Sequence, residues 1–249
     1  MTIIKSCIIA FSMYSKIPMP HVKWDEKSLR YAMVFFPLVG AVIGACMMGW
    51  WYISDARNYH IILRSVVFGV VPIVISGGIH MDGFLDTMDA LCSYLPKEDK
   101  LRILKDPHAG AFSVISAVVY MVLYVGGMTQ IQTDKQMLLL SLTFVLSRSG
   151  SGLSMVTLPK AKKEGTLYTF STAAHVAVLR VVMACYLVTV MAGMLWIMPF
   201  RGALICLLAM LCFLWYWRMA VKEFGGITGD LAGWFLTVSE LFMLYAIVL

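Results

Sequence analysis

Three aspartates stand in one short segment, His80-Met81-Asp82-Gly83-Phe84-Leu85-Asp86-Thr87-Met88-Asp89, at the end of a long uncharged run. Their spacing follows i, i+4, i+7, so on a helix they fall within roughly 60° of one face. Along the axis Asp82 and Asp86 would lie about 6 Å apart and Asp86 and Asp89 about 4.5 Å; Asp82 and Asp89, at about 10 Å, are too far apart for one ion. Like charges at i, i+4 weaken a helix by a few tenths of a kcal/mol in water, and beside lipid each bare carboxylate costs about 2–3 kcal/mol. A divalent cation removes these penalties, and hard cations held by oxygen ligands commonly bind phosphates as well. The segment reads as a metal site bordering a membrane. Either two ions lie along the face, or one ion is held by two carboxylates and the third acts as a base. The alternative is a solvated acidic helix start.

Two further segments carry polar chemistry. In Lys105-Asp106-Pro107-His108-Ala109-Gly110 an acid, basic groups and a glycine crowd together before an apolar run, which suits a phosphate and a metal as well as ordinary helix capping. Pro96 opens a short helix before it, with Glu98 and Asp99 in the first turn and Arg102 and Lys105 in the last, as the helix dipole favours. Pro107 biases Asp106 away from helical geometry. In Phe224-Gly225-Gly226-Ile227-Thr228-Gly229-Asp230 the glycines permit backbone N–H groups to approach an anion, and Asp230 could bind metal or cap the next helix. Glu240, ten residues on, lies in an apolar run and needs a partner; Arg148 or a substrate amide could serve.

These residues are embedded in an apolar chain. Hydrophobic residues make up 60% and charged residues 14% of the 249, with a mean hydropathy of +0.82, where a soluble domain would be about a quarter charged. The expectation is an all-α polytopic transmembrane helix bundle of about seven spans, near 31–53, 65–81, 111–131, 136–155, 181–199, 202–217 and 231–249. The apolar stretch near the N-terminus is too short to span, and Thr2–Tyr14 is read as an interfacial helix without a signal-peptide cleavage site. Gly77-Gly78 should interrupt the second span, with a fresh helix starting near Asp82. With the N-terminus cytoplasmic, inner segments hold 15 basic residues, among them Lys160, Lys162 and Lys163, and outer segments hold 4. Segments 82–110, 156–180 and 218–230 then open to the cytoplasm, so one site can draw on all three. No repeat or linker divides residues 1–249, which are read as a single integral membrane domain. The net charge of +6 reflects loop retention rather than nucleic-acid binding, since no basic, aromatic-interleaved surface is present. The six cysteines lack CxxC spacing and read as packing residues.

Together these segments resemble the cobalamin synthase family (adenosylcobinamide-GDP ribazoletransferase). The resemblance is carried by Phe11-Ser12-Met13-Tyr14-Ser15-Lys16-Ile17-Pro18-Met19-Pro20, by Phe36-Pro37-Leu38-Val39-Gly40 with Gly44, and by the segment Gly78–Asp89. Lys105-Asp106 with Gly110, and Gly225-Gly226-Ile227-Thr228-Gly229-Asp230, complete it. One departure is His108, where the family often has arginine; a histidine is cationic only part of the time near neutral pH. The resemblance implies a multi-pass enzyme of the bacterial cytoplasmic membrane that requires Mg²⁺. It would join adenosylcobinamide-GDP to α-ribazole or its 5′-phosphate and release GMP. On that basis Asp82, Asp86 and Asp89 hold Mg²⁺, with Asp106 and Asp230 as further ligands. Lys105, His108 and Arg148 bind phosphate, Thr228 and Gly229 meet the nucleotide, and Asp89 or His80 is the base. The lipid bilayer is the remaining partner, and a homo-oligomer is compatible with the sequence.

Competing readings are distinguishable. A CDP-alcohol phosphotransferase expects Asp-Gly-x-x-Ala-Arg, whereas Asp82-Gly83 continues as Phe84-Leu85-Asp86; an aspartate-rich prenyltransferase expects two acidic clusters, and one full cluster is present. A cation-coupled transporter would show repeated halves and acids near the midplane.

Overall fold

A computed structural model describes residues 2–162 and 164–249, so Lys163, counted above among the inner basic residues, lies outside the described residues. The chain is built of helices: α1 (Thr2–Tyr14), α2 (Glu26–Ala32) running through a 3₁₀ turn into α3 (Phe36–Ala56), α4 (Ile61–Ser76), α5 (Ile79–Cys92), α6 (Lys97–Ile103), α7 (Ala111–Met128), α8 (Asp134–Thr157), α9 (Thr166–Ala173), α10 (Val176–Ile197), α11 (Pro199–Met219) ending in a π turn, and α12 (Gly229–Val248). Among the described residues six helices are long and apolar enough to cross a membrane, counting α2 and α3 as one, and the bent pair α4–α5 brings the number to seven if it is taken as one broken span rather than a re-entrant loop. This is a multi-span membrane protein of the all-α bundle class.

The expected second span, 65–81, is corrected in one respect. α4 ends at Ser76, Gly77 and Gly78 both adopt left-handed conformations, and α5 leaves at 97° to α4. The new helix begins at Ile79, three residues before the expected start, which puts Asp82 in its first turn. The bend is braced by the chain after α1. Lys16 donates its backbone N–H to Ile75 O at 2.8 Å, and its aliphatic stem lies where any side chain at Gly77 would have to go.

α8 is the buried centre of the bundle, and α3, α10 and α12 pack around it. Gly40 and Gly44, one turn apart on α3, meet the backbone of Phe144 and Ser141, and the Ser141 hydroxyl donates to Gly44 O at 3.1 Å. Small residues at this spacing let helices cross closely where no hydrophobic effect drives association. The lipid side is legible on α7, where Val114, Ile115, Val118, Val119 and Val122 are exposed. The turn expected between residues 129 and 136 is present, closed by a capping box between Thr133 and Gln136 at the start of α8. α1 docks rather than spans: Ile9, Ala10 and Phe11 are buried, and Ser6 donates to Ser28 O at 2.7 Å.

Candidate active site

The aspartate segment forms one helix, as its spacing requires, and α5 lies along the first turns of α12. The crossing is made by two glycines. A Cβ on Gly83 would stand 2.7 Å from the Asp230 carbonyl oxygen, and one on Gly233 would stand 2.9 Å from the His80 carbonyl oxygen. No side chain longer than hydrogen fits at either place, so Asp82 and Asp230 are brought together by backbone contact. Asp86 lies within Coulombic range of Asp82, Asp89 and Asp230.

Two cavities meet at this crossing. One, of about 160 Å³, is walled by Tyr14, Phe36, His80, Met155 and Leu236, with Asp82 and Asp230 on its rim. The other, of about 320 Å³, is the more polar of the two, with Lys105, Lys162, Glu164, Tyr168 and Thr228 around it. Leu167, Gly229 and Asp230 line both, so the two form one cleft with a carboxylate at the junction. The N-terminus of α12 opens there: Thr228 caps it by accepting from Leu231 N–H at 3.2 Å, and the positive end of the helix dipole favours an anion. Lys162 donates to Leu101 O at 3.1 Å, and burial with Lys105 nearby lowers its pKa below that of an ordinary lysine.

The structure separates the residues expected to act together. Asp82 and Asp230 face the cleft, and Asp86 is half-buried on the same helix. Asp89 is turned to another task. One of its oxygens accepts from Gly110 N–H at 2.6 Å and the other from Ser113 N–H at 2.9 Å, capping α7 from a neighbouring helix. A Cβ on Gly110 would stand 2.6 Å from that carboxylate, which gives this glycine its reason. Both Asp89 oxygens are thus bonded to the start of α7, and the side chain lines neither cavity of the cleft, which sets it apart from Asp82 and Asp230. Asp106 accepts both the backbone N–H of His108, at 2.9 Å, and its ring nitrogen, at 2.7 Å; the pair is exposed and lines neither cavity of the cleft. Arg148 takes the other role weighed from sequence. It is 1% exposed and bonds Glu240 at 2.6 Å, with Ser147 on the same carboxylate oxygen at 2.7 Å, so it holds α8 to α12 and does not reach the cleft. The glycine turn is not an anion cradle: Gly225, Gly226 and Ile227 donate their N–H groups to Val221, Ala220 and Pro159. Gly226 instead lets residues 159–161 lie against it.

Lys162, Glu164 and Tyr168 line the more polar cavity without a sequence motif to mark them; from sequence Lys162 counts only among the basic residues of an inner loop. Tyr14 was noted only as part of a motif. Lys105 bonds Glu164 at 2.5 Å at the mouth of the polar cavity.

The carboxylates fit a hard cation. Asp82, Asp86 and Asp230 have no cationic side chain within ion-pair distance among the described residues. Among those residues no three His, Cys, Asp or Glu side chains form a ready-made cage. One or two carboxylates completed by substrate phosphates is the donor set magnesium commonly uses.

Comparison with known proteins bears on the same chain. An adenosylcobinamide-GDP ribazoletransferase of Lachnoclostridium phytofermentans is 46% identical over 99% of this chain and 94% of its own length. Proteins of the same name from Clostridium botulinum and Clostridium perfringens are 32% and 33% identical, over 97% and 95% of this chain and 96% and 94% of their own lengths. No solved structure matches. The profile of the cobalamin-5-phosphate synthase family covers residues 6–248, and with matches of that extent the chain belongs to this family.

Proposed function

We infer that the chain is an adenosylcobinamide-GDP ribazoletransferase that uses Mg²⁺. It joins adenosylcobinamide-GDP to α-ribazole or its 5′-phosphate and releases GMP, giving adenosylcobalamin or its 5′-phosphate. The observation that carries the site assignment is the cleft in which an apolar and a lysine-bearing cavity meet at Asp82 and Asp230.

The diphosphate lies on the polar side, where Lys105, Lys162 and the α12 N-terminus offset its charge. Thr228 and Gly229 bound the same space. A ribose hydroxyl of the acceptor attacks the phosphorus bonded to the aminopropanol arm, that phosphorus loses its bond to the GMP phosphate oxygen, and GMP departs. Asp82, which lines the apolar side, takes the hydroxyl proton; Asp230, which lines both, faces the phosphates. Asp230 and Asp82, with Asp86 behind them, would hold the cation. Magnesium bound there supplies positive charge to oxygens that gain negative charge during transfer. Burial of the Arg148–Glu240 pair fixes α12 against α8 and so the position of Asp230. The excess of basic residues on segments 1–30, 82–110, 156–180 and 218–230 supports a bacterial cytoplasmic membrane location, with the cleft and N-terminus on the cytoplasmic side.

The test is GMP release by Asp82→Asn, Asp86→Asn, Asp89→Asn and Asp230→Asn variants across a Mg²⁺ titration. Asp82→Asn and Asp230→Asn are expected to need more Mg²⁺ and to lose turnover, while Asp89→Asn keeps the wild-type Mg²⁺ midpoint. If Asp82→Asn and Asp230→Asn turn over like wild type at low Mg²⁺, the assignment is wrong.

A further inference from the structure

Resting on the transferase reading, we infer that the apolar cavity is the seat of the acceptor's fused-ring base, with His80 Nε2 donating to the ring nitrogen that carries no sugar. At about 160 Å³ the cavity compares with an apolar protein cavity of about 150 Å³ that binds benzene, so it holds one ring of the base and the remainder extends toward the adjoining cavity. Tyr14 and Phe36 stand 4.4 Å apart between ring centroids, and His80 lies 6.4 Å from Tyr14 and 5.8 Å from Phe36, forming an aromatic wall. Met155 and Leu236, both nearly fully buried, face it with flexible and branched apolar groups. His80 Nε2 is buried with no hydrogen-bond partner, an unfavourable state that a ligand able to accept from it would relieve.

The base named by the ribazole acceptor is a dimethylbenzimidazole. It is flat, it is apolar along its methyl-bearing edge, and it has one acceptor nitrogen once the sugar occupies the other. That is one acceptor for one orphaned donor. Guanine, the other base in the reaction, carries several donors and acceptors that methionine and leucine would leave unpaired, so it belongs on the polar side with Thr228 and Glu164. Placing the benzimidazole beside His80 brings its ribose to the rim where Asp82 stands.

The experiment compares α-ribazole with the analogue in which the free ring nitrogen is replaced by C–H, a ribosyl dimethylindole, in GMP release from adenosylcobinamide-GDP. Wild type is expected to favour α-ribazole by about tenfold in kcat/KM, and His80→Phe to abolish that preference. Ser151→Leu, which extends a side chain of the cavity wall, is expected to raise KM for α-ribazole about tenfold and to leave KM for the corrinoid within about twofold. Should either variant fail to fold, free dimethylbenzimidazole on wild-type protein decides: inhibition competitive with α-ribazole alone supports the assignment. Equal preference for both acceptors in wild type, or competition with the corrinoid instead, overturns the cavity assignment and leaves the transferase reading standing. No GMP release by wild type with both substrates overturns both.

Discussion

Replacing Gly83 by alanine tests whether backbone contact between α5 and α12 sets the reactive geometry. The added Cβ would sit 2.7 Å from Asp230 O and 2.8 Å from Asp230 Cα, about 0.7 Å inside the 3.4 Å at which ordinary contact begins. Both are backbone atoms in the first turn of a helix that Arg148 and Glu240 tie to α8, so no side chain can swing away. Relief requires α5 to part from α12, which moves Asp82 relative to Asp230 by most of an ångström. Overpacking of this kind costs about 1–3 kcal/mol of stability. A misplacement of about 1 Å in a reacting constellation can cost on the order of 10²-fold in rate. The assay is kcat for GMP release at saturating substrates and Mg²⁺, together with thermal unfolding in the same micelles. The matched control is Gly126→Ala on α7, where a Cβ meets nothing within 4 Å; it should leave kcat unchanged and gain up to about 1 kcal/mol from helix propensity. Wild-type kcat in Gly83→Ala would refute the argument that the glycine crossing positions the carboxylates.

Other substitutions separate structural from chemical roles. Glu240→Ala leaves the Arg148 guanidinium buried without its partner and should destabilise the protein by about 3–5 kcal/mol in thermal unfolding, while the double change Arg148→Met, Glu240→Met recovers most of that loss; a double variant no better than the single one would contradict it. Asp89→Asn turns an amide N–H₂ toward donors on Gly110 or Ser113 and should cost about 1 kcal/mol of stability as a lost cap, measured by the same unfolding assay, with no loss beyond that in Mg²⁺ affinity. Lys105→Ala with Lys162→Ala should raise KM for adenosylcobinamide-GDP in a salt-dependent way and leave KM for α-ribazole in place; a rise in both sinks the polar-side assignment. The hydrogen bond from Lys105 holds the Glu164 carboxyl below the usual glutamate range, so that pair forms as pH rises through the lowered pKa and is lost below it. Glu164→Gln should free Lys105 for phosphate and lower KM for the corrinoid modestly above that pH, with no difference from wild type below it.

Much of the fold could be read without coordinates. A charge-poor chain with apolar runs of spanning length has few stable solutions in a bilayer, because every backbone polar group must be bonded within its own helix. That rule set the long helices, while the poor helix propensity of Gly77-Gly78 set the break and Pro96 with the charge pattern after it set the short helix. The i, i+4, i+7 spacing placed the aspartates on one face, since side-chain direction follows from helical pitch alone. Sequence also offered Arg148, beside a substrate amide, as the partner that Glu240 needs, because a lone charge in an apolar run must be offset; the resemblance assigned the same arginine to phosphate, and packing decided between the two.

Which side chains meet across helices was decided by packing. Spacing cannot tell that α5 leaves α4 at 97° and crosses α12 at Gly83 and Gly233; the resemblance groups Asp82 with Asp230, but the backbone contact that joins them is a matter of packing. Asp89 shares a face with Asp82, yet seven residues of helical rise, about 10 Å, carry it to the start of α7, where unpaired N–H groups compete for its oxygens. The glycines of residues 225–226 looked like an anion turn because left-handed glycine serves both an open loop and a tight backbone contact; residues 159–161 filled the space. Composition and pitch are local properties and are written in the chain, while the choice of neighbour depends on where separate helices cross, and only the folded bundle fixes that.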